Sequence, residues 1–128
     1  MAHGGRYDSI PGLKASSTFA AKQYYVCKVS STAGEVIPGA AATDSLLGIV
    51  QNDPAAGEVA DVAAVGICKA AGEASVSFGS ALTCSSTGRV KATTTNGHVL
   101  VGYALAATAA AGNIIPVLLG RGYYRSTT

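Results

Sequence analysis

The chain has 128 residues, and only 12% of them are Asp, Glu, Lys or Arg, for a formal net charge of +2. That length suits one domain, or one compact body with arms. About a quarter of residues are charged in ordinary soluble domains, so this composition argues against a solitary, fully solvated monomer and for a surface partly covered by copies of itself or by a partner.

Residues 1–23 show neither helical nor strand periodicity. "MAHGGRYDSIPGLKASSTFAAK" mixes Gly, Ser and Pro with isolated apolar residues, and its composition predicts an extended arm. It has no apolar core of the kind a secretory leader carries. From Gln23 the signal is β. "YYVCKV", Tyr24 to Val29, is aromatic and β-branched. "SSTAGEVIPG" reads as a loop with a short strand ending at Pro38, and "SLLGIVQ" as a buried apolar run. "GEVADVAAVGICKA" is a long strand, with Val59, Asp61, Ala63 and Val65 alternating with Ala60, Val62, Ala64 and Gly66. "EASVSFG" and "SALTCSS" are short segments parted by Gly79. In "GRVKATTTNGHVLVGYALA", Asn96-Gly97 between a Thr-rich and a Val-rich run predicts a tight hairpin with φ > 0 at both residues. "GNIIPVLLGRG" is the last strand. Pro116 cannot donate to a ladder, which predicts an edge, a strand start or a bulge there.

Two stretches repeat one plan. Gly48–Gly66 and Gly102–Gly120 each open on an apolar pair and Gly, run as a strand, bend at Ala-Ala-Gly and return. The turns fall at Gly57 and Gly112. Glycine serves where φ is positive or where backbones come close. Many short strands with Gly and Pro punctuation predict an all-β fold, a small sandwich or barrel of mostly antiparallel strands. The expected organisation is an extended N-terminal arm over 1–23, a β domain over 24–122 and a short C-terminal tail over 123–128.

The residues of reaction chemistry are sparse and scattered. His3 and His98 form no metal-like pair, and no G-x-S-x-G or phosphate-cradling Gly pattern occurs. Asp53, Glu58 and Asp61 read as acids at a turn and on a solvent face rather than an acid–base pair. Cys27, Cys68 and Cys84 are odd in number and widely spaced, which fits small half-buried side chains and not a disulfide or metal framework. No enzyme, cofactor or metal is therefore expected. The bases are spread over both ends of the chain, as solvated edges are and nucleic-acid tracks are not. The stretch Ala92–Gly120 carries no Asp, Glu, Lys or Arg, yet Asn96-Gly97, His98, Asn113 and Pro116 interrupt it, unlike a spanning helix.

The order "LLGIVQNDPAAGEVADVAAVGICKAAGEA", a Gly-led short strand, then "GRVKATTTNGHVLVGYALAATAAAGNIIPVLLGRG" resembles the small tailed-phage capsid decoration, or cement, proteins of the DUF2190 type, over residues 45–122. The segment "SFGSALTCSSTGRV" departs from that pattern by lacking the acid and the aromatic after its Gly. The resemblance implies a structural protein made in the host cytoplasm that binds the outer face of a phage capsid and stabilises it. Its implied partners are the major capsid protein and further copies of itself, with a trimer favoured and a dimer possible, and neither nucleic acid nor membrane. Tyr7, Ile10, Leu13 and Phe19 of the arm are the expected contacts with the capsid or with neighbouring subunits. Tyr123, Tyr124 and Arg125 of the tail form a second set, since Tyr and Arg are favoured anchors. A fibre or tail component, or a small ligand-binding β module, is the alternative.

Overall fold

The structure is a computed structural model that describes residues 6–16, 22–108 and 110–125. Among these residues it has ten strands and no helix. The strands are β1 (Tyr7–Ile10), β2 (Lys14–Ala15), β3 (Val26–Val29), β4 (Glu35–Pro38) and β5 (Leu46–Val50). The second half of the chain adds β6 (Val62–Ala71), β7 (Ala81–Cys84), β8 (Val90–Ala92), β9 (Val99–Ala104) and β10 (Ile114–Tyr123). Their order is β2-β4-β3-β5-β6-β10-β9-β7-β8, with β1 laid on the first half of β6. All named pairs are antiparallel except β2–β4.

The far end of the sheet curls back. Gly72 bridges Val90 in parallel, and the Glu73 N–H donates to the Val90 carbonyl at 2.8 Å. The strands β6, β10, β9, β7 and β8 so close into a small barrel, and β5, β3, β4 and β2 extend from β6 as a flap over it. Val26, Leu46 and Ile49 of the flap pack with Cys68, Leu82, Cys84, Val90 and Val117 of the barrel in one core. A second core of Ala15, Cys27, Val36, Val50, Ala60 and Val62 lies beneath β2 and the turn after β5.

The two repeated stretches are two antiparallel hairpins, β5–β6 and β9–β10, whose returning strands pair with each other. Their opening glycines share one environment. A Cβ on Gly48 would lie 2.1 Å from the Ala63 carbonyl oxygen and 3.1 Å from a Val62 methyl. A Cβ on Gly102 would lie 2.2 Å from the Leu118 oxygen and 3.0 Å from a Val117 methyl. The repeat is thus a packing device: each hairpin brings its strands so close that only glycine fits.

Four local expectations need correction. The Asn96-Gly97 turn does not join a hairpin, because β7 lies between β8 and β9. Only Gly97 has positive φ, at +89°, and the His98 N–H donates to the Thr95 carbonyl, so the turn is type II rather than the mirror-image type I′. Pro116 sits in the central strand β10. Its carbonyl accepts from Leu105 N–H at 2.9 Å, so its missing donor faces Leu105, one residue past the end of β9 and outside the β9–β10 ladder. Strand β3 starts at Val26 and not Tyr24, whose φ of +71° takes it out of the β region. The alternation in β6 fails at Val62 and Ala63, neighbours that are both fully buried, because each of the two cores claims one of them.

Candidate functional site

Strand β10 is apolar on both faces, and its register explains what each face does. Val117 pairs with Cys68 on β6 and Ala104 on β9, and all three are fully buried. One residue further, Leu118 pairs with Ile67 and Tyr103. Directly opposed residues of antiparallel strands point the same way, so these three form a row on the outer wall of the barrel. They remain exposed: Ile67 by 36%, Leu118 by 43% and Tyr103 by 41%. Val65 and Ile114, also exposed, stand on the same two strands. The row spans three strands spaced about 4.8 Å apart. Lys69, paired with Pro116, is the sole charged residue of β9 or of the β6–β10 ladder near it.

The expected contact residues sit as follows. Tyr7 is half-buried on β1, and its hydroxyl donates to Asp61 Oδ2 at 2.6 Å. That hydrogen bond, with burial, pushes the phenol up to about 12. Ile10 and Leu13 are half-buried against the second core of their own chain. Phe19 lies outside the described residues. At the other end, Tyr123 and Arg125 are exposed and Tyr124 is half-buried. The Tyr124 N–H donates to the His98 carbonyl at 2.8 Å, and its own carbonyl accepts from Gly97 N–H at 3.0 Å. The tail and the Asn96-Gly97 turn therefore form one end of the molecule. Gly57 and Gly112 stand at their turns with φ of +80° and +86° in open space.

The remaining polar groups are engaged in structure. His98 Nδ1 pairs with Thr93 Oγ1 at 2.7 Å. Glu58 accepts from the Ala55 N–H at 2.8 Å across its own turn. Lys28 and Asp44 form an ion pair at 3.0 Å. Burial pushes the thiols of Cys27, Cys68 and Cys84 up to about 12, and all three are free. Among the described residues no group of three or more His, Cys, Asp or Glu is placed to hold a metal.

Sequence reasoning missed the Ile67–Leu118–Tyr103 row. The signal was present in "GNIIPVLLG", where residues on both faces are apolar. Strands of that pattern are ordinarily covered on both sides.

No curated protein sequence matches the chain. Among solved structures, the chain is similar to the N base of the head fiber gp8.5 of bacteriophage phi29, with a TM-score of 0.62 at 16% identity, over 89% of this chain and 95% of that one. Identity that low speaks for the fold alone. Residues 20–119 match the family described as phage cement protein, and the chain belongs to that family.

Proposed function

We propose that the protein decorates the outer surface of a phage capsid as a homo-oligomer and reinforces the lattice without doing chemistry. Membership in the phage cement family carries the capsid role. The outward row of Ile67, Leu118 and Tyr103 carries the oligomer. A neighbouring copy covers this row, completing the burial that both faces of β10 were built for. The ends of the chain are left for the shell: Tyr123, Tyr124 and Arg125 with the Asn96-Gly97 turn beside them, and the arm through Phe19 and the outer faces of Tyr7, Ile10 and Leu13. The major capsid protein is the partner there. A trimer is favoured over a dimer. Synthesis in the host cytoplasm precedes attachment to the capsid exterior.

The test combines native mass measurement with co-sedimentation on purified empty shells. The parent is expected to be an oligomer that pellets with shells. Leu118→Lys is expected to keep its folded β circular-dichroism spectrum and fall to a monomer. A parent that is monomeric at all concentrations and stays in the supernatant overturns the proposal. A second reading, the base of a fibre, is favoured by the likeness to the head fiber base. Electron microscopy of decorated shells separates the two: compact knobs for cement, projecting rods for a fibre.

A further inference from the structure

The tail and the Asn96-Gly97 turn together hold a reactive pair of residues in an unreactive shape. Asn96 and Gly97 are both exposed. An open hollow of about 450 Å³ lies against them, lined also by Tyr123, Tyr124 and Arg125, so water reaches the turn. Asparagine followed by glycine is the asparagine pair most open to self-modification. Gly97 has no side chain to shield its nitrogen from the Asn96 amide carbon. A Cβ on Gly97 would meet nothing within 4 Å, so the body of the protein offers no shield either.

Two features of the geometry oppose that attack. In a type II turn the first central residue has ψ near about +120°, which turns the Gly97 nitrogen away from the Asn96 side chain. A five-membered ring closes only after Asn96 rotates out of this shape. The tail holds the atom that would have to move: Gly97 N–H donates to the Tyr124 carbonyl at 3.0 Å, and Tyr124 N–H donates to the His98 carbonyl at 2.8 Å. On the other flank Thr93 Oγ1 accepts from Thr95 N–H at 3.1 Å and pairs with His98 Nδ1 at 2.7 Å. Strand β10 ends at Tyr123, so the clamp consists of two backbone bonds just past the last strand pair. Local opening there costs far less than unfolding the barrel.

We propose that Asn96 is a site of self-modification, locked while Tyr124 is seated and opened when the tail lifts. The Gly97 nitrogen then attacks Asn96 Cγ and gives up its proton. A new C–N bond forms, and the side-chain nitrogen leaves with that proton as ammonia. Water opens the resulting succinimide at either carbonyl, giving aspartate or isoaspartate, with no oxidant or reductant involved. Isoaspartate puts an extra carbon into the main chain, which carries the Gly97 N–H away from the Tyr124 carbonyl. The tail then cannot reseat, and the change is one-way. Either product places a carboxylate at the end of the molecule that carries Tyr123, Tyr124 and Arg125. Asn52 and Asn113 are poorer sites, since Asp53 and Ile114 follow them with side chains in the nitrogen's path. The site does not depend on the cement role.

The test follows the full chain by mass spectrometry during incubation at mildly alkaline pH, with peptide mapping to place the amide-to-acid mass gain. In guanidinium the Asn96 peptide is expected to convert. In native buffer its conversion is expected to be about thirtyfold slower, the protection that two backbone bonds give. Tyr124→Pro removes the donor to His98 and is expected to convert about fivefold faster than the native parent. It is expected to keep the parent's circular-dichroism spectrum and to show faster hydrogen exchange at the Gly97 amide. Should proline there unfold the domain, Tyr124→Gly, which loosens the tail through backbone freedom alone, takes its place with the same expected direction. If Asn96 stays intact in the unfolded chain, the site is refuted. If the native parent converts as fast as the unfolded chain, the lock is refuted. If the parent is protected and the loosened variant converts no faster, the turn alone guards Asn96 and the tail's role is overturned.

Discussion

The twin glycines give the most direct test of how this fold is built. In Gly48→Ala and Gly102→Ala, the new Cβ would sit 2.1 and 2.2 Å from a carbonyl oxygen of the facing strand, Ala63 and Leu118. Real Cβ atoms essentially never come within 3.0 Å of a neighbour, so the strands of each hairpin must part by roughly 1 Å. The obstacle is backbone in both cases and cannot swing aside as a side chain would. Overpacking of this kind costs about 1–3 kcal/mol, and each ladder hydrogen bond stretched open costs about 1 kcal/mol more. Alanine stiffens the unfolded chain and returns about 0.4–1 kcal/mol. The net is a loss of about 1–3.5 kcal/mol per variant, which lowers the melting temperature of a domain this size by roughly 4–14 °C. Two controls grade the effect. At Gly120 a Cβ meets only the Tyr103 ring, at 3.9 Å, so Gly120→Ala is expected to be neutral or slightly stabilising. At Gly112 there is open space but φ is +86°, so Gly112→Ala is expected to cost about 1 kcal/mol from backbone strain alone. Thermal melts followed by circular dichroism measure all four. Gly48→Ala and Gly102→Ala melting within about 3 °C of the parent would refute the close-approach account. A large difference between the two would refute their equivalence.

Two further outcomes follow from buried chemistry. The thiols of Cys27, Cys68 and Cys84 are buried and pushed up to about 12, so none is expected to react with a disulfide reagent at pH 8 in the native protein, and all are expected to react in guanidinium; rapid labelling of any of them in the native state contradicts this. Tyr7→Phe removes the hydroxyl from Asp61 and is expected to cost about 1 kcal/mol at neutral pH. Because the folded phenol stands at about 12, above its usual 10, its contribution is fully present below pH 10 and lost as the pH rises towards 12. In urea melts the parent's margin over Tyr7→Phe is expected to hold up to pH 10 and shrink beyond it. An undiminished margin across that window counts against the Tyr7–Asp61 bond.

What could be read from the chain beforehand was what local chemistry controls. The two Gly-to-Gly stretches became hairpins because strand, turn and return all lie within 18 residues of each other. Pairing between distant segments was not legible. Asn96-Gly97 dictates a reversal of direction, but a reversal leaves the partner open; Val99–Ala104 found β7 and β10 rather than β8 because Leu82 and Val117 offer it buried neighbours. Pro116 was read by the rule for central strands, which fails where the adjoining strand has already ended. Strands β1 and β2 were hidden because Tyr7, Ile10 and Leu13 follow no period of two; they are held by the Tyr7–Asp61 bond and by backbone bonds such as Leu13 carbonyl to Ala60 N–H. Lys22 and Arg89 both approach the Tyr25 ring, at 5.6 and 5.7 Å from its centre, a separation in sequence that no motif spans.

The same contrast bears on function. A strand needs only one apolar face to hold a barrel wall together, and Ile115 and Val117 already supply it. Ile114 and Leu118 on the other face contribute little to the folded monomer, since water still reaches both. Nor are they isolated: Leu118 is in register with Ile67 and Tyr103, so three strands place large apolar side chains at one level of the wall. Scattered surface leucines need no explanation, but an in-register row across adjacent strands acts as a single patch. On a chain with so few charges, that patch is also free of the acid–base pairs that would specify an aqueous surface. An apolar wall of this kind suits a permanent contact between identical copies.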